Sequence, residues 1–233
     1  VSTMRRKGIV YFGFEDLQIY TGSGADVVNV QGTAAHVTQV HTSGGDDHFF
    51  LSSTAAETQS SAPLATALSG HAHWMQNDII LSAGAGQHRL FVSDVDAWLS
   101  RTVTVESELI SFASQTTIRF SGHSFESGIT LWLGAQDDAV SVRSLRRLGN
   151  GTMTTINTGG GHDHVTVQGL DASTDLGILV FNLQGGNDVL EVGNSSKPMC
   201  VIGGSGNDYI EGSTGDDVIF ADEALFNFVD ANG

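Results

Sequence analysis

One pattern recurs along these 233 residues. An alternating apolar run leads into a glycine-rich turn that closes on Asp, and a second alternating run follows. It reads Ile19-Tyr-Thr-Gly-Ser-Gly-Ala-Asp26-Val-Val-Asn-Val30 and returns as Val40-His-Thr-Ser-Gly-Gly-Asp-Asp47-His-Phe-Phe-Leu51. Further copies close on Asp138, Asp163, Asp188, Asp208 and Asp217, and a degenerate copy places His88 where the Asp should stand. The step from Asp26 to Asp47 is 21 residues, the two steps from Asp138 to Asp188 are 25 each, and the next is 20. The gaps on either side of His88, 41 and 50 residues, are near two periods each, and the last step is only nine. Repeats of this length built from period-two alternation predict an all-β parallel solenoid of about ten coils. No window sustains a 3.6-residue period, so helical repeats are excluded. A leucine-rich repeat would need a Leu/Asn pattern that is absent.

The turns predict a chemistry. Glycine lets the backbone take positive φ and leaves carbonyl oxygens uncovered, and the closing Asp adds a carboxylate. Stacked turns place these groups one above another at ~4.8 Å. A column of carboxylates at that spacing repels itself by roughly 1 kcal/mol or more per neighbouring pair, and divalent cations remove that cost. Oxygen-only ligands suit Ca²⁺. The charge agrees: 26 acidic against 10 basic residues give −16, with 18 Asp to 8 Glu. Such a balance excludes binding to a phosphate backbone, which needs basic patches. The rival reading is that Asp and Gly only form turns, with Asp hydrogen-bonding its own loop.

Gly203-Gly-Ser-Gly-Asn-Asp-Tyr-Ile-Glu211, followed by Gly212-Ser-Thr-Gly-Asp-Asp217-Val-Ile-Phe220, resembles the nonapeptide of RTX and haemolysin-type repeats, which form parallel β-rolls with Ca²⁺ between turns. The other copies resemble a looser pattern of very large secreted repeat proteins of bacteria, algae and oomycetes. The resemblance implies calcium ligation by Asp26, Asp47, Asp138, Asp163, Asp188, Asp208 and Asp217. His88 departs from the pattern, since it offers no carboxylate.

Two stretches break the rhythm. Residues 52–77 are polar and hold Pro63, which predicts a loop with at most one helical turn. Residues 94–127 alternate at Thr102–Glu106 and Thr116–Phe120 without an Asp turn and are expected to form coils lacking the calcium motif. Trp132 sits between Leu131 and Leu133, points opposite to them, and is expected to pack under an inserted loop rather than to serve with Trp74 and Trp98 as a sugar-stacking platform. His71 and His73 share one strand face, as do His162 and His164, but nothing converges on either pair in sequence. Two sequons, at Asn150 and Asn194, offer glycan sites if the chain is secreted.

No GxSxG, Cys/His pairing or phosphate loop is present, and the lone Cys200 excludes a disulfide framework. No catalytic residue is therefore assigned, and a non-enzymatic role is expected. The basic cluster Arg143, Arg146 and Arg147 beside Asp137 and Asp138 keeps a carbohydrate-active β-helix as the alternative. The reading is a single domain over 1–233 with an RTX-like end at 201–220, expected to be an excerpt of a longer extracellular, cell-surface or filament protein. Its expected partners are identical copies, further modules of the same polypeptide, or polysaccharide.

Overall fold

A computed structural model describes residues 9–11, 13–55, 68–113, 116–121, 124–145 and 152–222. Among these residues eighteen strands, numbered here in chain order, form two facing sheets. The first holds β1 (Asp16–Ser23), β3 (Val37–Gly44), β5 (Asn77–Ala85), β9 (Thr116–Phe120), β8 (Leu109–Phe112), β7 (Thr102–Glu106), β11 (Ala139–Val142), β13 (His164–Gln168), β15 (Val189–Gly193) and β17 (Tyr209–Ile210), in that spatial order. The second runs β2 (Val27–Val30), β4 (His48–Leu51), β6 (Arg89–Ser93), β10 (Ile129–Trp132), β12 (Met153–Asn157), β14 (Ile178–Asn182), β16 (Met199–Ile202) and β18 (Val218–Phe220). The chain crosses from sheet to sheet at every long turn, and nearly all pairing is parallel. The fold is a parallel β-solenoid, as the repeat predicted.

Alternation explains the core. In each strand every second side chain points between the sheets, and the register stacks them in files. Val30, Leu51, Val92, Leu131, Ile156, Phe181 and Val201 form one such file across the second sheet. Val105, Val142, Val167 and Val192 form another across the first. All of these residues are buried in one continuous cluster.

Residues 94–127 depart from expectation. Strands β7, β8 and β9 within them form an antiparallel meander, not stacked coils: β7 turns through Ser107 and Glu108 into β8, and β8 pairs back with β9. Three apolar pairs, Val103/Val105, Ile110/Phe112 and Ile118/Phe120, all face inward, so the hairpins fill the interior as coils would. The meander gives the first sheet ten strands against eight in the second. The described residues of 52–77 contain one short 3₁₀ turn, Ala72–Trp74. Ala55 and Leu68 from this insertion cover Phe50, Phe91 and Trp132 on the outer face of the second sheet. Phe50 and Phe91 stack at 4.9 Å, and Phe91 and Trp132 at 6.1 Å, so Trp132 packs as expected.

Candidate metal centre

The closing residues do stack, but on two opposite edges. Turns closing on Asp26, Asp47 and His88 carry the chain from the first sheet to the second, whereas those closing on Asp138, Asp163, Asp188 and Asp208 carry it from the second to the first. The seven predicted aspartates therefore do not form a single column. Asp217 lies on the edge of Asp26, beyond a run of differently built turns. The 41-residue gap from Asp47 to His88 is one rung, not two periods, because the insertion absorbs the excess. The 50-residue gap to Asp138 is a change of edge.

Each column is a hydrogen-bond ladder. The Asp138 N–H donates to Oδ1 of Asp163 at 2.8 Å, Asp163 to Asp188 at 2.8 Å, and Asp188 to Asp208 at 3.0 Å. The Arg101 N–H starts the column by donating to Asp138 at 2.5 Å. On the opposite edge Asp26 donates to Oδ1 of Asp47 at 2.9 Å, and Asp47 donates to Nδ1 of His88 at 3.2 Å. The turn-forming reading is thus half right: these carboxylates bind backbone of the neighbouring coil, and Asp138 also that of Gly134 in its own turn. The turns themselves touch. Gly186 has φ +143°, and a Cβ there would lie 1.5 Å from the Gly161 carbonyl oxygen.

The second carboxylate oxygens are the anomaly. Oδ2 of Asp138, Asp163, Asp188 and Asp208 is buried with no hydrogen-bond partner among the described residues, and Oδ2 of Asp47 lies 3.1 Å from His88 Nδ1. The nearby Thr158 hydroxyl spends its proton on the Leu183 carbonyl at 2.9 Å. Leaving a buried carboxylate oxygen unpaired is expensive. Burial accordingly pushes Asp138 up to about 6 and Asp163 up to about 7, the latter further raised by the charges of Asp188 and Asp138. Asp188 is raised by burial and then by Asp208. Such a row is either proton-loaded or cation-loaded. Hard, unsatisfied oxygens among like charges fit Ca²⁺, and Asp138, Asp163, Asp188 and Asp208 would hold it on this edge.

The remaining predicted ligands differ. Asp217 accepts from Met199 N–H at 2.9 Å, Ser213 N–H at 2.6 Å and the Ser213 hydroxyl at 3.0 Å, so both its oxygens are engaged. Asp26 accepts from the Thr21 hydroxyl at 2.6 Å. Asp175 was missed: it binds Leu145 N–H at 2.7 Å and Asp171 N–H at 3.0 Å, and the only signal was Asp171-Ala-Ser-Thr-Asp175, which lacks glycine. Asn194 is exposed at φ +49°, while Asn150, Arg146 and Arg147 lie outside the described residues. Arg143 is held 3.8 Å from Glu106 and is exposed.

No curated protein and no solved structure matches the chain. Residues 201–223, which contain Asp208 and Asp217, match the family described as the RTX calcium-binding nonapeptide repeat in four copies, so this stretch carries a Ca²⁺-binding repeat of the RTX type.

Proposed function

We propose that this chain is a calcium-stiffened structural module of an extracellular cell-surface, adhesin or filament protein. The observation that carries the reading is the row of buried, unpartnered Oδ2 atoms running from Asp138 to Asp208 into the RTX-type coil. Cations on that row cross-link successive coils through groups that otherwise repel each other, and they make the rod rigid only where Ca²⁺ is abundant. No helix among the described residues is long and apolar enough to cross a membrane.

The outermost described strands support lengthwise assembly. Among the described residues Val27 on β2, Tyr209 on β17, and Val218 and Ile219 on β18 are large apolar side chains left exposed. Among the described residues β1 and β2, and β17 and β18, each pair on one side only. Such edges template further strands, and further solenoid, from identical copies or from the same polypeptide, would satisfy them. Exposed Trp74 and Trp98 on neighbouring loops of one edge favour polysaccharide as a surface ligand. The exposed sequon at Asn194 suits a glycan.

The test is thermal unfolding in excess Ca²⁺ and in chelator. Ligand bound only by the folded state stabilises it by mass action, so chelation should lower the melting temperature by several degrees or more. Superimposable melting curves would overturn the proposal.

A further inference from the structure

We propose a second, chemically different metal site, for a divalent transition ion of the Zn²⁺ class, at His71, His73 and Asp94. Two loops that are far apart in sequence meet on the edge that carries the Asp138 column. The Gly70 N–H donates to Asp96 Oδ2 at 2.7 Å, and the Asp96 N–H returns to the Gly70 carbonyl at 3.2 Å. The His73 N–H donates to Asp94 Oδ1 at 3.2 Å. These contacts bring one ligand atom of each of the three residues within 4.8 Å of one another. Asp94 is fully buried, and the His73 side chain is 10% exposed.

The hydrogen bonding there is frustrated. His73 Nδ1 lies 2.8 Å from Asp94 Oδ1 and 2.7 Å from Arg101 Nη2. A carboxylate only accepts and a guanidinium only donates. A protonated Nδ1 satisfies Asp94 and opposes Arg101. A bare Nδ1 satisfies Arg101 and meets the carboxylate lone pair to lone pair. Close by, Nδ1 of His71 is buried with no hydrogen-bond partner among the described residues, its ring 4.9 Å from that of His73.

A divalent ion placed among the three atoms uses all three lone pairs at once. Arg101 Nε remains on Asp94 Oδ2 at 2.6 Å, the kind of outer contact that orients a ligating carboxylate. Its Nη2 turns away. Two imidazoles and one carboxylate select Zn²⁺ and its neighbours over Ca²⁺, which takes oxygen ligands. Tetrahedral bonds of ~2.0 Å set donor atoms roughly 3.3 Å apart, so His73 Nδ1 and Asp94 Oδ1, now 2.8 Å apart, part slightly on binding while the His71 nitrogen adjusts within its 4.8 Å to meet the ion. His71, partly exposed and flanking the short 3₁₀ turn, can supply that movement. Three protein ligands leave a position open to water or substrate, beside Trp74, whose ring lies 4.7 Å from that of His71.

The experiment is calorimetric titration of the chelator-treated full chain with Zn²⁺ in saturating Ca²⁺, repeated with Co²⁺ for its visible absorption. One equivalent should bind, with a Co²⁺ spectrum of nitrogen and oxygen ligation. His71→Ala and His73→Ala should each weaken binding at least 100-fold, while His162→Ala leaves it unchanged. Circular dichroism of the variants reports whether the solenoid is intact, and His71, being partly exposed, is the variant least prone to unfold it. Absence of binding, or an affinity that His71→Ala leaves intact in a folded protein, overturns the site.

Discussion

At position 88 a histidine does what aspartate does elsewhere. Its Nδ1 accepts the Asp47 N–H, and its Nε2 lies 3.1 Å from the Gly84 carbonyl, bracing the turn from within. The rung therefore requires a buried acceptor aimed at the preceding coil, and a carboxylate is one of two ways to supply it. At Asp163 the carboxylate brings a second oxygen with no hydrogen-bond partner among the described residues, and that surplus has a pH signature. Unfolded Asp titrates near 3.9, whereas burial holds folded Asp163 at about 7. The folded state binds the extra proton throughout that window, so the stabilisation is complete below the unfolded value and is lost as pH rises through 7. In chelator, raising the pH from about 5.5 to about 8 should therefore lower stability as Asp163 loses its proton. Urea unfolding at the two pH values measures this. Asp163→Asn, which retains the Oδ1 acceptor, should flatten the slope, and an unchanged slope would refute the assignment.

The turn is the element that sets how closely coils approach. Gly160 donates to the Gly134 carbonyl at 3.0 Å, Gly185 to Gly159 at 3.0 Å and Gly186 to Ser205 at 2.9 Å, so backbone meets backbone with no side chain between. Gly186→Ala puts a methyl group into the Gly161 carbonyl at a φ that only glycine adopts freely. The turn can yield only by separating the coils, which breaks the Asp163-to-Asp188 rung as well. A loss of about 2–4 kcal/mol is expected, from strain plus a lost buried hydrogen bond. Chemical denaturation checks the magnitude, and a substitution that costs less than the ordinary surface change would show that the turns are not in contact. The motif's alternating strands and glycine spacing were legible in sequence. The antiparallel meander was not, because Val103, Ile110 and Ile118 alternate identically whichever way their strands run.

Along the whole molecule each coil contacts chiefly its neighbours, as in other solenoids, and stability is close to a sum of neighbouring terms. Damage should then stay local. Asp208→Ala removes the acceptor of the Asp188 N–H and a ligand from the RTX-type coil. Hydrogen exchange should speed up in β14 to β17 while β2 and β4, at the other end of the second sheet, keep their protection. Equal opening at both ends would mean that the solenoid unfolds as one unit.

The sequence by itself determined the parallel solenoid, the buried files of Val, Leu, Ile and Phe, and the rung residues that close glycine-rich turns, because a strand's period of two and a turn's demand for glycine act within a few neighbouring residues. It also marked the RTX-type end, where the nonapeptide is regular. Only the tertiary structure decided which edge each rung occupies. The insertion at 52–77 and the meander change the path between sheets without altering the local motif, so Asp47 and Asp138 read alike and lie on opposite sides. Likewise the meeting of His71 and His73 with Asp94 and Arg101 depends on two loops stacking one coil apart. Sequence spacing carries no record of that contact.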